Sequence, residues 1–431
     1  MRYLIIIILA FCTNSLFAQP LIDIYKKGTV KLVPDTAYAR GNDWGKALPL
    51  HPENRFDDPT GDSKSLVMMP DGSVAVNHYN RNYFSVFDPA GKYKNDYYVT
   101  SRAGKKFISN VTIKGVNQNF FFNRPDAMGN MNCFDFEGKY IKTLLLKHSA
   151  KTIIPLSPNK FVVTAWTLWE TKYRDFVAII DFDADKETII WDHFTKRSDG
   201  DNSRALFDYY YTFENGGSAG FTSMPYTERN GLSSPPQIAL VNDKIVIGIP
   251  STGEILIHTT DGKLVSKDKI NWSAKEIISV EEQKEIQKNT IEKMKTAFTH
   301  YEKMGFSKED IENARKSITS QLEEDLNRIR TPIPIPFFSS IIKDSDDNLL
   351  FFEIPKETGA NKFNVWVYNE GGIFMGQCSF ECDEYDLSIT PSKIVFYNGY
   401  IYSLQHLKNA KENPLRLVRF KLVGISIPKL A

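Results

Sequence analysis

Leu66-Val67-Met68-Met69-Pro70-Asp71-Gly72-Ser73-Val74-Ala75-Val76-Asn77, followed by Phe84-Ser85-Val86-Phe87 and the turn Asp88-Pro89-Ala90-Gly91, is the stretch on which the fold turns. It reads as an apolar run, an Asp-Gly turn, a second apolar run, a polar loop, and a third run closing on an acid-x-x-Gly turn. Asp, Asn and Gly accept the positive φ of tight hairpins, so the reading is antiparallel strands. The unit then recurs. Residues 111–116, Asn117, 120–123 and 132–134, closing on Asp135-Phe136-Glu137-Gly138, repeat it. A third copy takes 152–156, Ser157-Pro158-Asn159, 161–164 and 176–182. A fourth takes 237–240, Asn242-Asp243, 245–249 and 254–258. A fifth takes 339–343, Asp346-Asp347, 349–353 and 364–368, and a sixth takes 393–397, Asn398-Gly399, 400–404 and 415–422. β-Branched and aromatic residues fill the runs, which favours strands over helices. Repeated four-stranded units of this kind predict an all-β chain, a six-bladed β-propeller whose sheets leave only short, protected edges.

Five units have an outer fourth strand, at 93–99, 140–146, 187–191, 263–267 and 373–380, but the sixth has none after Leu422. Residues 29–33 form a spare strand near the other end of the chain. The expectation is that this N-terminal strand completes the last blade and clasps the ring, because two open edges would otherwise remain.

The turn residues Asp71, Asn117 and Asn159 are 46 and 42 apart, but Asn159 to Asn242 is 83 and Asn242 to Asp346 is 104. The excess falls in two insertions. Residues 195–236 read as a loop rich in Gly, Ser and Tyr. Residues 272–336 contain an α-helical hairpin. Its first helix opens on the capping box Ser279-Val280-Glu281-Glu282 and carries Ile291, Met294, Phe298 and Tyr301 as one stripe. Its second begins at Ser307 and carries Ile311, Ala314, Ile318, Leu322 and Leu326. Both insertions join an outer strand to the next inner strand, so both emerge on the face that also carries the loops between second and third strands. Loops held by a rigid scaffold are where function concentrates.

Residues 1–18 read as a signal peptide: Arg2, an apolar run over 4–11, and Leu16-Phe17-Ala18 before Gln19. The mature part, 19–431, then reads as a single domain, secreted or periplasmic, with no later run long enough to span a membrane. Cys12 follows bulky Phe11, which argues against lipid attachment there. The chain has 53 Lys and Arg against 52 Asp and Glu, and loss of Arg2 makes these equal. With no basic stripe, nucleic acid is not expected as a partner. Of the mature cysteines, Cys133 reads as a packing residue. Cys378 and Cys382 leave two states open, a disulfide closing a small loop or two buried thiols.

The loops on the insertion-bearing face carry His78, Tyr79 and Arg81, then Arg124, then Trp166, Trp169, Tyr173 and Arg174, with Tyr210 in the first insertion and Glu353 and His406 at later strand ends. Flat aromatics beside Arg, Asn and His suit a glycan, a peptide or another small molecule, because they join apolar faces to directional donors. Asp181-Phe182-Asp183-Ala184-Asp185 has the alternating acids of a calcium loop, but Lys186 stands where that loop turns on Gly. No nucleophile triad, zinc signature or phosphate loop is present, so no catalytic residue, cofactor or resident metal is assigned.

The strand–Asp-x-x-Gly–strand units and the lead-in Phe337-Phe338-Ser339-Ser340-Ile341-Ile342-Lys343-Asp344 resemble exported bacterial six-bladed propellers of the NHL and TolB-like group, over residues 28–422 outside the insertions. That group shares a fold and no catalytic motif. The leading expectation is therefore a non-catalytic exported propeller that binds a carbohydrate or peptide at the insertion-bearing face. A lactonase- or lyase-like enzyme holding a divalent cation through His78, Asn123, Glu353 and His406 is the alternative. A scaffold for an envelope protein partner, docking through the helical hairpin, is the third reading.

Overall fold

In the computed structural model, the residues described are 20–40, 65–77, 83–100, 103, 113–116, 119–123, 129–169, 172–196, 207–213, 218–223, 235–270, 277–294, 296, 306–330, 332–354, 362–387, 393–408 and 415–426. The first strand, β1 (Gly28–Pro34), follows a short helix, α1 (Leu21–Tyr25). Four sheets of four antiparallel strands come next in order. The first is β2 (Ser65–Met68), β3 (Val74–Asn77), β4 (Tyr83–Phe87) and β5 (Tyr93–Tyr98). The second is β6 (Ile113–Val116), β7 (Phe121–Asn123), β8 (Asn130–Phe134) and β9 (Tyr140–Leu145). The third is β10 (Ser149–Ser157), β11 (Lys160–Trp169), β12 (Lys172–Asp181) and β13 (Lys186–Lys196). A separate hairpin, β14 (Phe207–Thr212) with β15 (Ser218–Ser223), precedes the fourth sheet, β16 (Gln237–Val241), β17 (Lys244–Ile249), β18 (Glu254–Thr259) and β19 (Leu264–Lys269).

The second insertion rises on a two-residue ladder. Strand β20 (Ile277–Ile278) leads into helices α2 (Val280–Met294) and α3 (Lys308–Arg328), and β21 (Ile333–Pro334) returns to pair with β20. The last sheet has nine strands: β22 (Ser340–Lys343), β23 (Leu349–Phe352), β24 (Lys362–Tyr368) and β25 (Phe374–Glu381), then β1, then β29 (Leu415–Ser426) and β28 (Tyr400–Leu407). Both β26 (Tyr385–Asp386) and β27 (Ile394–Tyr397) pair with β28. The N-terminal strand runs parallel to β25 and antiparallel to β29, with Val30 opposite Phe380 on one side and Gly424 on the other. It thus completes the last four-strand run, as its sequence suggested, and also welds that run to its neighbour.

First strands touch in chain order: β2 against β6, β6 against β10, β10 against β16, β16 against β22, and β27 against β2. The sheets are propeller-like, stacked face to face on apolar clusters. Between the first two lie Val67, Phe84, Phe121 and Phe134; between the second and third, Phe122, Phe161 and Phe176. Burying each such ring fully is worth about 1.5–3 kcal/mol.

The acid-x-x-Gly turns have one physical basis. Asp88 Oδ1 accepts from the amides of Ala90 and Lys92, Asp135 Oδ1 from Glu137 and Lys139, and Asn369 Oδ1 from Gly371 and Ile373. A short side chain thereby holds two amides that the bend removes from the ladder, as Asx turns do. Gly91, at φ +80°, closes the first, and a Cβ there would meet the Ala39 amide at 2.7 Å. The segment after β1 therefore lies directly on this turn.

Two expectations need correction, and the open state of Cys378 and Cys382 is resolved. The stretch 195–236 is not a plain loop: β13 runs on to Lys196, and β14 and β15 pair within it. Most of the stretch from Trp166 to Arg174, expected as a loop, is the end of the β11–β12 hairpin. Its Thr, Trp and Leu continue the alternating ladder to Trp169 paired with Lys172. Cys378 and Cys382 are free, buried thiols. Cys378 lies within β25, and four residues of extended chain span about 13 Å, well beyond the Cα separation of about 4.4–6.8 Å that a disulfide spans. Burial pushes the Cys378 thiol up to about 12, so it stays protonated.

Candidate functional site

Strand direction places every second-to-third turn, and every crossing from one sheet to the next, at one end of the sheets. Three features gather at that end. The first is the third sheet itself. Its strands have 9 to 11 residues. At about 3.3 Å per residue, the ten-residue β11 and β12 run about 13 Å beyond the six-residue β17 and β18 of the next sheet.

On this projection the register sorts the expected ligand residues onto two sides. Trp166 stands opposite Asp175, which stands opposite His193. Arg174 comes one residue before Asp175 and so points to the other side, in line with Thr167 and Phe194. The Arg174 guanidinium is committed within its own sheet. Nε and Nη2 donate to Asp192 Oδ2 at 3.1 and 2.6 Å, and the group lies 5.5 Å from the Phe176 ring centre and 5.3 Å from that of Phe194. Trp166 is half-buried, Asp175 is buried, and His193 is exposed and stacks on Trp191. Trp169 and Tyr173 are placed by backbone pairing, with Lys172 and Leu168 respectively, and Tyr210 pairs with Gly220.

The second feature is the insertion pair. Phe213 from the first insertion packs against Met294, Ile311, Ala314, Ile318 and Leu322 of the helices, with its ring 4.4 Å from that of Phe306. The two insertions therefore share one small core. The second helix begins as read: Ser307 accepts from the Asp310 amide and Asp310 accepts from the Ser307 amide. Ser279 likewise accepts from the Glu282 amide. Phe298 and Tyr301 lie outside the described residues. The buried side of α2 also contains Gln283 and Gln287, whose amides donate to the carbonyls of Ile278 and Leu322. An apolar-stripe reading passes over such polar staples. A groove of about 410 Å³ between the helices is floored by Ile291 and Met294 and flanked by Arg315 and Glu323.

The third feature is a set of polar side chains at the strand ends. Ser65, Asn77, Asn123, Ser340 and Gln405 are all buried. Asn123 Oδ1 accepts from the Asn132 amide at 2.6 Å, taking the place of a ladder partner where β7 ends. Glu353, just past β23, accepts from Asn364 Nδ2 at 2.8 Å and from Trp366 Nε1. Sequence reading found Glu353 but missed Asn364 and Trp366, whose link to it exists only through the β23–β24 pairing. His406 is the second-last residue of β28, opposite Leu415 and Asp386. His78, Tyr79, Arg81 and Arg124 fall outside the described residues. Of the four groups considered for a cation, Asn123 and Glu353 thus already have protein donors, and no cluster of three His, Cys, Asp or Glu able to hold a metal occurs among the described residues. Nor, among them, is any helix long and apolar enough to cross a membrane.

No known protein family matches the chain, and no curated protein matches it in sequence. Solved structures align along much of its length. A member of the DUF4221 family from Bacteroides vulgatus is 10% identical at a TM-score of 0.45, over 92% of this chain and 99% of that one. Virginiamycin B lyase from Staphylococcus aureus is 13% identical at a TM-score of 0.35, over 92% and 99%. Identities this low match no residue of one chain's chemistry to the other's.

Proposed function

We propose that the protein is an exported six-bladed β-propeller, closed by its N-terminal strand, that binds a carbohydrate or peptide without catalysing its conversion. The binding face is the end of the sheets that carries the insertions. One observation carries this reading: the projecting third sheet, the joined insertions and the buried polar strand ends all occur at that end. Among the described residues the opposite end carries short turns, with α1 and the segment after β1 packed on them. A scaffold with no use for that face gains nothing from extending it, whereas a recognition face needs walls that exclude water around a few directional polar groups.

In this reading Trp166 supplies an apolar surface, and the loop residues His78, Tyr79, Arg81 and Arg124 supply donors from the first two sheets. Arg174 stiffens the projecting hairpin rather than touching the ligand, because Asp192 and two phenyl rings already hold it. The test is a glycan and peptide array probed with the mature protein, followed by Trp166→Ala. Aromatic anchors typically cost about 2 kcal/mol or more on truncation. Loss of binding of that size with an unchanged melting temperature supports the face. An array with no hit, or a hit that survives Trp166→Ala together with removal of residues 279–331, refutes it.

A further inference from the structure

The outward face of α3 carries an order of charges that is its own complement. Residues three and four apart share one face of a helix, so Arg315, Lys316, Thr319, Ser320 and Glu323 form one band along α3. All five line the groove of about 410 Å³ between the helices. Two basic groups precede the uncharged pair Thr319 and Ser320, and an acid follows it. Arg315 lies 3.6 Å from Glu312 of its own helix. Lys316 and Glu323 are exposed, and neither forms an ion pair with another described residue.

Leu326 continues the band one turn beyond Glu323. On the core side of α3, Ile318 and Leu322 are fully buried with Phe213 and Met294, whereas Leu326 is half-buried and stands outside that core. The groove in turn has an apolar floor, Ile291 and Met294, beside the first half of α3. Leu326 and that floor do not meet within one chain, because the rise from Lys316 to Leu326 is about 15 Å. They do meet when a second copy of the helix lies antiparallel on the first.

We propose that two copies of this chain associate about a two-fold axis, α3 against α3, with the axis passing between Thr319 and Ser320. A surface that pairs with itself about such an axis must be self-complementary, and this one is. The axis sets Lys316 level with the partner's Glu323, and symmetry sets Glu323 level with the partner's Lys316. It also brings the partner's Leu326 beside the first turns of α3, over Ile291 and Met294. A parallel arrangement would oppose Lys316 to Lys316 and Glu323 to Glu323, which like-charge repulsion disfavours. The charges of Glu312, Arg315, Lys316 and Glu323 cancel, so two copies of this face approach without net repulsion. The association rests on the insertion pair alone and requires nothing of the ligand proposed above.

The test is analytical ultracentrifugation of the full mature protein over a wide concentration range, with Lys316→Glu and Glu323→Lys each alone and then mixed. The parent should dimerise reversibly, and added salt should weaken the dimer by screening the ion pairs. Each single variant opposes like charges at both symmetric contacts. Each should therefore self-associate at least about tenfold more weakly, the equivalent of roughly 1.4 kcal/mol. An equimolar mixture of the two should regain the parent's association, because opposite charges again face each other across the axis. Both positions are exposed, so the melting temperatures of the variants should match that of the parent. A parent that stays monomeric at every concentration overturns the proposal and leaves the groove to a different protein. A dimer that both single variants retain lies on another surface, which also overturns it. Two monomeric variants that fail to pair with each other overturn the antiparallel register.

Discussion

The N-terminal joint and the insertion pair both fasten segments that have no four-stranded sheet of their own, yet they are built from different materials. At the joint, α1 and β1 give Leu21, Tyr25, Val30 and Leu32 to the core of the nine-stranded sheet. They add hydrogen bonds that span the chain: Leu21 N to Asp346 at 2.7 Å, Tyr25 Oη to Asp344 at 2.9 Å, and Arg419 to Asp35 at 3.1 and 2.7 Å. The Arg419 guanidinium also sits between the rings of Tyr38 and Tyr400, 4.7 and 4.8 Å from their centres. The insertion pair instead has a small core of its own, and the second insertion is closed at its base by a two-residue ladder. One region is therefore continuous with the sheets, and the other is an appended unit. That distinction predicts opposite consequences of damage.

The largest effect belongs to the joint. Removal of residues 19–34 takes four buried side chains, each worth about 1.5–3 kcal/mol, and exposes the edges of β25 and β29 at once. A loss of that size rivals the whole stability of a typical domain. The shortened protein should lack a cooperative thermal transition, or melt far below the parent, by circular dichroism. A truncated protein with the parent's melting temperature would show that the joint is no more integral than the insertions.

The insertion pair should break locally. Leu322 is fully buried between the helices and Phe213, so Leu322→Ala should cost about 2–5 kcal/mol within that unit. The sheets share little of its core, so their melting should shift little while protease cleavage within 279–330 accelerates. Equal loss of protection in sheet and helix amides by hydrogen exchange would instead make the two one cooperative body.

The sheets and the clasp were legible because both obey short-range rules. Asp-x-x-Gly spacing dictates the turns, and a spare strand opposite an open edge dictates the closure. The projection of the third sheet was not legible, since Trp166, Thr167 and Leu168 alternate no more strongly than a polar loop with aromatics, and only the partner strand β12 reveals the ladder. Pleat side was likewise hidden: Trp166 and Arg174 look like one cluster in sequence, and register alone separates them. Glu353 was found as a carboxylate at a strand end, but its donors Asn364 and Trp366 are set by pairing. Gln283 and Gln287 broke the helix stripe because a buried amide that reaches a carbonyl costs little.

A smaller effect tests the polar part of the joint. Burial holds the Asp344 carboxyl above the usual carboxylate range, only partly offset by Asn348, Tyr25 and nearby amides. A carboxyl with a raised folded pKa binds its proton more tightly when folded. The stability it contributes is complete below the unfolded pKa and is lost as pH rises through the folded pKa. Tyr25→Phe removes one of the donors to the charged form. It should cost about 1–3 kcal/mol at neutral pH and less at pH values below the ordinary carboxylate range, where the group is neutral in both states. Urea unfolding of both proteins at the two pH values checks this, and a cost that grows on acidification would reverse the assignment.

The smallest effect concerns Arg174, expected among the ligand residues and paired with Asp192 in the structure. Its partner Asp192 is 39% exposed and Arg174 is 28% exposed, so solvent screens the pair, and such pairs contribute about 0–1 kcal/mol. Contact with the Phe176 and Phe194 rings adds about 0.5–1 kcal/mol at a partly exposed site. Arg174→Ala should therefore lower stability by roughly 1 kcal/mol. Arg174→Lys should recover part of the charge but not the flat packing, because an ammonium cannot lie between two rings as a guanidinium does. On the opposite side of the same strands, Trp166→Ala should impair ligand capture. If Arg174→Ala abolishes binding at unchanged stability, both sides of the projecting hairpin meet the ligand, and the division by pleat side is wrong.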